Sequence, residues 1–127
     1  LLFEFEIPGF DIVGFEYEAK KEEDLITVKN ALNILSDHKN MVIPSGSAKC
    51  EEVDSTAEVV NEGKHSEYIS KYRFNCEKIS KLNILYIKYF SNFKNSRKLN
   101  IKVFGSNKKS AYVITKSKKI IKVKDHF

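Results

Sequence analysis

Hydrophobic and polar side chains alternate along "HSEYISKYRFNC", residues 65–76. Successive side chains of a strand point to opposite faces, so this run divides into two sets. One face would carry Tyr68, Tyr72, Phe74 and Cys76. The other face would be polar and would begin with a histidine and a carboxylate. The pattern therefore predicts a strand with one buried face and one solvated face.

A second extended run, "AKCEEVDSTAEVV", precedes this strand and is separated from it by "NEGK", residues 61–64. A loop of this length that contains Gly, between two alternating runs, predicts a β-hairpin. With residues 61–64 as the loop, Ala57 faces Tyr68, and Cys50 faces the residue before Cys76. A bulge or a strand end near Cys50 would then bring the two sulfur atoms within bonding range.

The period changes in "EEDLITVKNALNILSDHK", residues 22–39. Apolar residues recur there at helical spacing, at Leu25, Val28, Leu32 and Leu35. Three acidic residues stand at the start, where the helix dipole favours anions, and His38 follows the last turn, where it favours cations. This segment is the one long helix that the sequence predicts.

The remaining apolar runs predict further strands. They are residues 1–7, 10–18, 81–90, 99–106, 110–117 and 118–123. The run 81–90 is apolar on both faces and is predicted to be central. The run 1–7 is expected to have an unpaired edge unless an upstream segment or another molecule pairs with it. The predicted fold is α+β: an antiparallel sheet of six or more strands, one long helix packed on it, and a hairpin stapled by a disulfide.

Length and charge narrow the class of protein. A chain of 127 residues suits a single domain, and no apolar run is long enough to predict a membrane span. Residues 1–63 carry 14 acidic and 5 basic side chains, whereas residues 91–127 carry 11 basic side chains and one acidic. A basic end is typical of nucleic-acid or lipid binding, or of a lysine-covered solvent face that protects edge strands. Because Arg is scarce, we favour the solvent face and expect no nucleic-acid partner.

The two cysteines, Cys50 and Cys76, leave two interpretations open. Two cysteines on predicted strands, with none left over, favour a disulfide and an oxidising compartment. Two buried free thiols in a cytosolic protein are the alternative.

The sequence contains few signs of catalysis. No glycine-rich phosphate loop and no nucleophile elbow is found, so we do not expect an enzyme. His65 and Glu67 share one strand face, and in the predicted register Glu58 lies across the hairpin from Glu67. An imidazole and two carboxylates are ligand types that zinc accepts. These three residues are the predicted metal ligands, and an ordinary solvated face is the alternative.

Four stretches together resemble the ZrgA-type family of bacterial zinc-uptake proteins. They are "DIVGFEYEAK" (11–20), "IPSGSAKC" (43–50), "HSEYISKYRFNC" (65–76) and "LNILYIKYFSNFKNSRKLNIKVFGSNKKSAYVIT" (82–115). Their order and spacing match the family, and the likeness covers almost the whole chain as one domain, residues 1–127. The most specific parts are the Val-Gly-Phe-Glu stretch, the paired cysteines and the His-x-Glu entry into the strand that ends at Cys76.

The resemblance implies a function and a location. It implies a periplasmic, secreted protein with a cleaved signal peptide and a His-containing strand upstream of Leu1. It further implies a zinc-binding accessory role in zinc uptake, with the zinc ion and a component of a zinc transporter as partners, and no enzymatic activity. A periplasmic protein-interaction module without metal binding is the alternative.

Two departures from the family pattern concern the metal ligands. Family members carry a His-rich, acidic insertion before the strand that starts at His65, where this chain has only "NEGK". They also have His at the position of Tyr17. His65 is therefore the one family histidine that the resemblance carries over to this chain.

Overall fold

The computed structural model describes the backbone of residues 1–127 and every side chain except that of Asp125. The strands, in chain order, are β1 (Leu2–Pro8), β2 (Val42–Pro44), β3 (Cys50–Glu62), β4 (His65–Cys76), β5 (Ile84–Ile87), β6 (Lys98–Phe104), β7 (Lys109–Thr115) and β8 (Ile120–Lys122). The α-helices are α1 (Gly9–Val13), α2 (Glu22–Leu35) and α3 (Tyr89–Asn92).

The strands form two antiparallel sheets. Five strands make the larger sheet, in the order β3-β4-β1-β6-β7, and three make the smaller one, in the order β2-β5-β8. The predicted α+β class with antiparallel pairing is thus confirmed, with the strands divided between two sheets. The apolar run that contains β5 was expected to be central, and β5 does lie between β2 and β8.

β1 is the central strand of the larger sheet. It pairs with β4 on one side and with β6 on the other, so the expectation of an unpaired edge at residues 1–7 is wrong. The buried side chains Phe3, Phe5 and Ile7 alternate with the half-buried carboxylates Glu4 and Glu6 on the opposite face. This alternation fits a strand with one face on the core. The alternation of side chains distinguishes the two faces of a strand. It carries no information about whether the two backbone edges of the strand are paired.

The hairpin of β3 and β4 is stapled at its open end. Cys50 pairs with Cys76 in the strand register, and the two form a disulfide, as predicted. The register shifts between Glu52 and Asp54, so Val53 is an extra residue on β3. The expected bulge near Cys50 is therefore confirmed. It brings the two cysteines into direct opposition.

The long helix α2 has 14 residues and packs its C-terminal half on the sheet. Ala31 and Leu35 are buried, whereas Leu25 is half exposed. The Tyr72 hydroxyl of β4 donates a hydrogen bond to the Leu35 carbonyl at 2.5 Å, which fixes the end of the helix against the inner face of the sheet. His38 lies in a 3-10 turn after the helix, and its Nε2 is 3.2 Å from a carboxylate oxygen of Glu52.

The prediction that residues 10–18 form a strand is wrong. The first part of this segment forms the short helix α1, which ends at Gly14 with a φ of 86°, and the rest is a loop. Glycine adopts this left-handed conformation without steric cost. The alternation of apolar side chains in a piece this short does not distinguish one helical turn from a strand.

Candidate metal site

The tip of the hairpin is a two-residue turn. Gly63 and Lys64 connect β3 to β4, and Glu62 is paired with His65 across the turn. Gly63 has a φ of 60°, which favours glycine at the first turn position. The first residue of β4 and the last residue of β3 are therefore held side by side at the turn.

Glu16, in the loop after α1, reaches the start of β4. Its Oε2 accepts a hydrogen bond from the Phe10 N–H at 2.7 Å, and its Oε1 accepts one from the Ser66 N–H at 3.1 Å. The same Oε1 lies 3.9 Å from Nδ1 of His65. Two backbone donors thus fix one carboxylate next to an imidazole.

The helix α1 packs closely against β4 at its first residue, Gly9. A methyl group added to Gly9 would lie 2.0 Å from the Ser66 hydroxyl oxygen and 3.0 Å from the Phe15 carbonyl oxygen. Only glycine allows this approach of the α1 backbone to β4. The close contact positions Glu16 beside the start of β4, because Glu16 lies in the loop that follows α1.

These segments enclose a surface cleft of about 270 Å³, which we call the acidic cleft. Its wall carries one imidazole and four carboxylates: Glu6, Glu16, Glu62, His65 and Glu67. The rest of the wall is formed by Pro8, Val60, Ser66 and Asn100. Imidazole and carboxylate groups are ligand types that zinc accepts, so the acidic cleft is the best candidate for cation binding.

One of the four carboxylates has a partner within the sheet. Glu6 on β1 accepts a hydrogen bond from the ammonium group of Lys102 on β6 at 2.8 Å. This carboxylate raises the pKa of Lys102, so the lysine stays charged and neutralises Glu6. Among the described side chains, the carboxylates of the acidic cleft that have no lysine partner are therefore Glu16, Glu62 and Glu67.

The predicted ligands His65 and Glu67 both line the acidic cleft, and the side chain of His65 is 85% exposed. Glu58 does not lie across from Glu67, as the predicted register had it. Ile69 is opposite Glu58, and Val60 is opposite Glu67. Glu58 is thus a diagonal neighbour of Glu67 and is not part of the cleft wall.

The length of the turn explains this error in the register. We expected a four-residue loop, and the chain turns in two residues, which shifts the pairing of the strands by two positions. Because side chains alternate with a period of two, this shift leaves the residues between the bulge at Val53 and the turn on their predicted faces. The face pattern is equally compatible with both registers, and only the turn geometry separates them.

Within the part of the chain whose side chains are described, no group of three or more His, Cys, Asp or Glu residues is arranged to hold a metal ion. The cysteines are joined in the disulfide at the other end of the hairpin. The other two histidines have partners elsewhere: His38 lies near Glu52, and Nε2 of His126 is 3.1 Å from the Tyr112 hydroxyl. The acidic cleft therefore gathers ligand types without a preformed coordination sphere.

Three residues of the acidic cleft were missed from the sequence: Glu6, Glu16 and Glu62. Glu6 and Glu62 are indistinguishable in sequence from other carboxylates on solvated strand faces. Glu16 ends the Val-Gly-Phe-Glu stretch that carries the family resemblance. That stretch was the one available signal, and its role became visible only when the loop was placed against β4.

The family of this chain is identified by its match to a protein-family model. The family model described as "ZrgA family zinc uptake protein" matches residues 1–123. The chain belongs to the ZrgA family. The match extends through all eight strands and both sides of the acidic cleft. A search of curated proteins finds no match.

Membership of the ZrgA family supports a role in zinc uptake, and the family is not a family of enzymes. In the described residues of this ZrgA protein, the helices are too short or too polar to cross a bilayer. The disulfide, together with a zinc-uptake family, fits a protein outside the cytoplasm. The predicted family, fold class and disulfide are thus confirmed.

Proposed function

We propose that this ZrgA protein is a periplasmic zinc-binding accessory protein that holds zinc at the acidic cleft and passes it to an uptake system. The observation that carries the proposal is the convergence of one imidazole and three carboxylates from separate segments. The loop after α1 contributes Glu16, the end of β3 contributes Glu62, and the start of β4 contributes His65 and Glu67. This convergence occurs in a chain of a zinc-uptake family.

The chemistry of these residues suits zinc as a cargo. Zinc binds imidazole nitrogen and carboxylate oxygen, and sites that release the ion easily have fewer imidazole and thiolate ligands than structural sites. Glu16 stands on the Nδ1 side of the His65 ring. Nε2 is therefore the nitrogen available to the ion, and Glu16 is placed to orient the ring behind it, as carboxylates do at many zinc-bound histidines.

The periplasm is the compartment that the covalent structure favours. A disulfide between β3 and β4 persists in oxidising compartments and is rare in the cytosol. Zinc released from an exposed cleft in the periplasm would be taken up by a component of a zinc transporter. We therefore include such a component among the proposed partners.

Calorimetric titration of zinc into the purified protein tests the proposal. The variants are His65→Ala and Glu67→Gln, with Glu51→Gln as the matched control. Glu51 is exposed on β3 at the far end of the hairpin. We expect His65→Ala to weaken zinc binding by about tenfold or more. We expect a smaller loss for Glu67→Gln, and none for the control.

The same titration assigns the remaining ligands. Glu58→Gln should leave the affinity unchanged, because Glu58 lies outside the cleft wall. An effect equal to that of Glu67→Gln would return Glu58 to the ligand set, as the sequence predicted. If His65→Ala binds zinc as tightly as the unmodified protein, the acidic cleft is not the zinc site and the proposed function fails.

A further inference from the structure

A second cleft lies at the β7 edge of the larger sheet, between β7 and β8. It has a volume of about 690 Å³, within the size range of about 300–1,000 Å³ that is usual for ligand clefts. We call it the lysine groove. The residues that matter here are Tyr112, Val113, Ile120, Lys118, Lys119 and Lys122. Of the described side chains that line it, none is a carboxylate.

One wall of the lysine groove is an open sheet edge. β7 pairs with β6, and no other strand of the described chain pairs with its free side. Edge strands are usually protected by charged side chains, by proline or by bulges. The centre of β7, "SAYVI" at residues 110–114, has none of these, and its pairing with β6 is regular. The free backbone donors and acceptors of β7 are thus available to an added strand.

Exposed apolar side chains accompany this open edge. Val113 is 67% exposed, and Ile120 on β8 is 42% exposed. The Tyr112 ring behind them is held in place, because its hydroxyl lies 3.1 Å from Nε2 of the buried His126. A rigid wall with alternating exposed and inward side chains is the arrangement that recognises an extended peptide by strand addition.

Charge identifies the occupant. Three lysines surround an apolar surface with no carboxylate to offset them, so the complementary ligand is negatively charged. A second copy of this chain would bring the same lysines against each other across the new strand pair, which disfavours self-pairing at low ionic strength. We propose that the lysine groove binds an extended, acidic segment of a partner protein, which adds to β7 as a sixth strand of the larger sheet.

The probe for the test is a fluorescein-labelled peptide of eight residues in which Val alternates with Glu. One matched peptide replaces Glu by Lys, and another carries N-methyl groups on alternate amides, so that it cannot donate hydrogen bonds to a sheet edge. Fluorescence anisotropy at low ionic strength measures binding. We expect the Glu peptide to bind, and the other two to bind at least about tenfold more weakly.

Two triple variants with the same net charge provide the specificity control. Lys118→Glu, Lys119→Glu and Lys122→Glu together change the net charge from +5 by −6, to −1. Lys21→Glu, Lys29→Glu and Lys39→Glu, all at exposed positions away from the groove, make the same change. The first variant should weaken the binding of the Glu peptide by at least about tenfold, and the second by less than about twofold.

Several outcomes would overturn the proposal. Equal losses in the two triple variants would mean a non-specific charge effect. Equal binding of the N-methylated peptide would exclude strand addition. Absence of binding of the Glu peptide would also contradict the proposal. Binding of phosphatidylglycerol vesicles would then identify a lipid surface as the ligand of the lysine groove. Dimerisation at low ionic strength, measured by sedimentation, would identify a second copy of the chain. Slower hydrogen exchange of the β7 amides on adding the Glu peptide is the expected structural signature.

Discussion

The two edges of the larger sheet differ in charge, in regularity and in covalent support. The edge formed by β3 carries exposed acidic side chains along its length, is bulged at Val53 and is stapled to β4 by the disulfide. The edge formed by β7 is regular, has an uncharged centre and adjoins three lysines. Both edges expose backbone groups, and only the β3 edge is protected against pairing with another chain.

This difference suggests a division of labour. The disulfide and the bulge support one end of the hairpin, and the hydrogen bonds of Glu16 to Phe10 and Ser66 support the other end, at the turn. In the described chain, the β7 edge has no bulge and no disulfide, and its unpaired backbone groups can form hydrogen bonds with another strand. The exposed carboxylates of β3 and the lysines beside β7 thus lie on opposite edges of one sheet.

Alkaline pH should affect the stapled side most strongly. Tyr68 and Tyr72 lie on the inner face of β4, and burial raises the pKa of Tyr68 from 10.0 to about 12. Burial also raises the pKa of Tyr72 and of Tyr89. The unfolded state therefore releases these protons at lower pH than the folded state does. The stabilisation that comes from burying these neutral tyrosines should be complete below pH 10 and should be lost as the pH rises through about 12.

Circular dichroism and tyrosinate absorbance against pH measure this effect. We expect ionisation of the buried tyrosines to coincide with unfolding, and Tyr68→Phe to move the midpoint to higher pH. Tyr86→Phe, at an exposed position on β5, is the control and should leave the midpoint in place. Tyrosinate formation that is complete while the fold is intact would contradict the prediction.

Loss of the disulfide should have the next largest effect. Removing both sulfur atoms, by Cys50→Ala with Cys76→Ala, opens a loop that spans 26 residues in sequence. In the chain-entropy model this lowers the free energy of unfolding by about 3.5 kcal/mol. Urea unfolding of the double variant against the oxidised protein measures the change. An unchanged free energy of unfolding would mean that the disulfide does not stabilise the β3 edge relative to the β7 edge.

The faces of the strands could be predicted from the sequence more completely than their edges. The buried set on β4 and the pairing of Cys50 with Cys76 followed from alternation and from the count of two cysteines. The central position of β1 did not follow, because alternation carries no information about backbone pairing. Glu16 was not predicted as a cleft residue for a related reason. Its role depends on the contact between Glu16 and Ser66, which are 50 residues apart in the sequence.

The packing beneath the acidic cleft should be sensitive to one added methyl group. In Gly9→Ala, the new Cβ meets the Ser66 hydroxyl oxygen at 2.0 Å, so the loop or β4 must shift. We expect a loss of about 1–3 kcal/mol in the free energy of unfolding, as for other overpacked sites. Zinc affinity should fall with it, since the same shift displaces Glu16 from His65.

Gly46→Ala is the matched control for this substitution. No heavy atom lies within 4 Å of a Cβ added at Gly46, and its φ is not positive. Alanine there should be neutral, or should stabilise the fold by up to about 1 kcal/mol through the unfolded state. Equal effects of Gly9→Ala and Gly46→Ala would show that the contact between α1 and β4 does not position the cleft.

Substituting one exposed valine by lysine on each edge compares the two edges most directly. These substitutions should have the smallest effect on stability. Val113 on β7 is 67% exposed and Val53 on β3 is 58% exposed. Val113→Lys and Val53→Lys should each change the free energy of unfolding by less than about 0.5 kcal/mol, because neither side chain is in the core. Their effects on self-association should differ.

At high ionic strength the repulsion between the groove lysines of two molecules is screened, and the open β7 edge should then pair weakly with its copy. Sedimentation should detect this association in the unmodified protein and in Val53→Lys. Val113→Lys should abolish it, because a charge at the centre of the edge opposes a second strand. If Val53→Lys suppresses association equally, the protected and open edges are not distinct. Persistence of association in Val113→Lys would place the self-contact on another surface, since β7 is the edge that this lysine blocks.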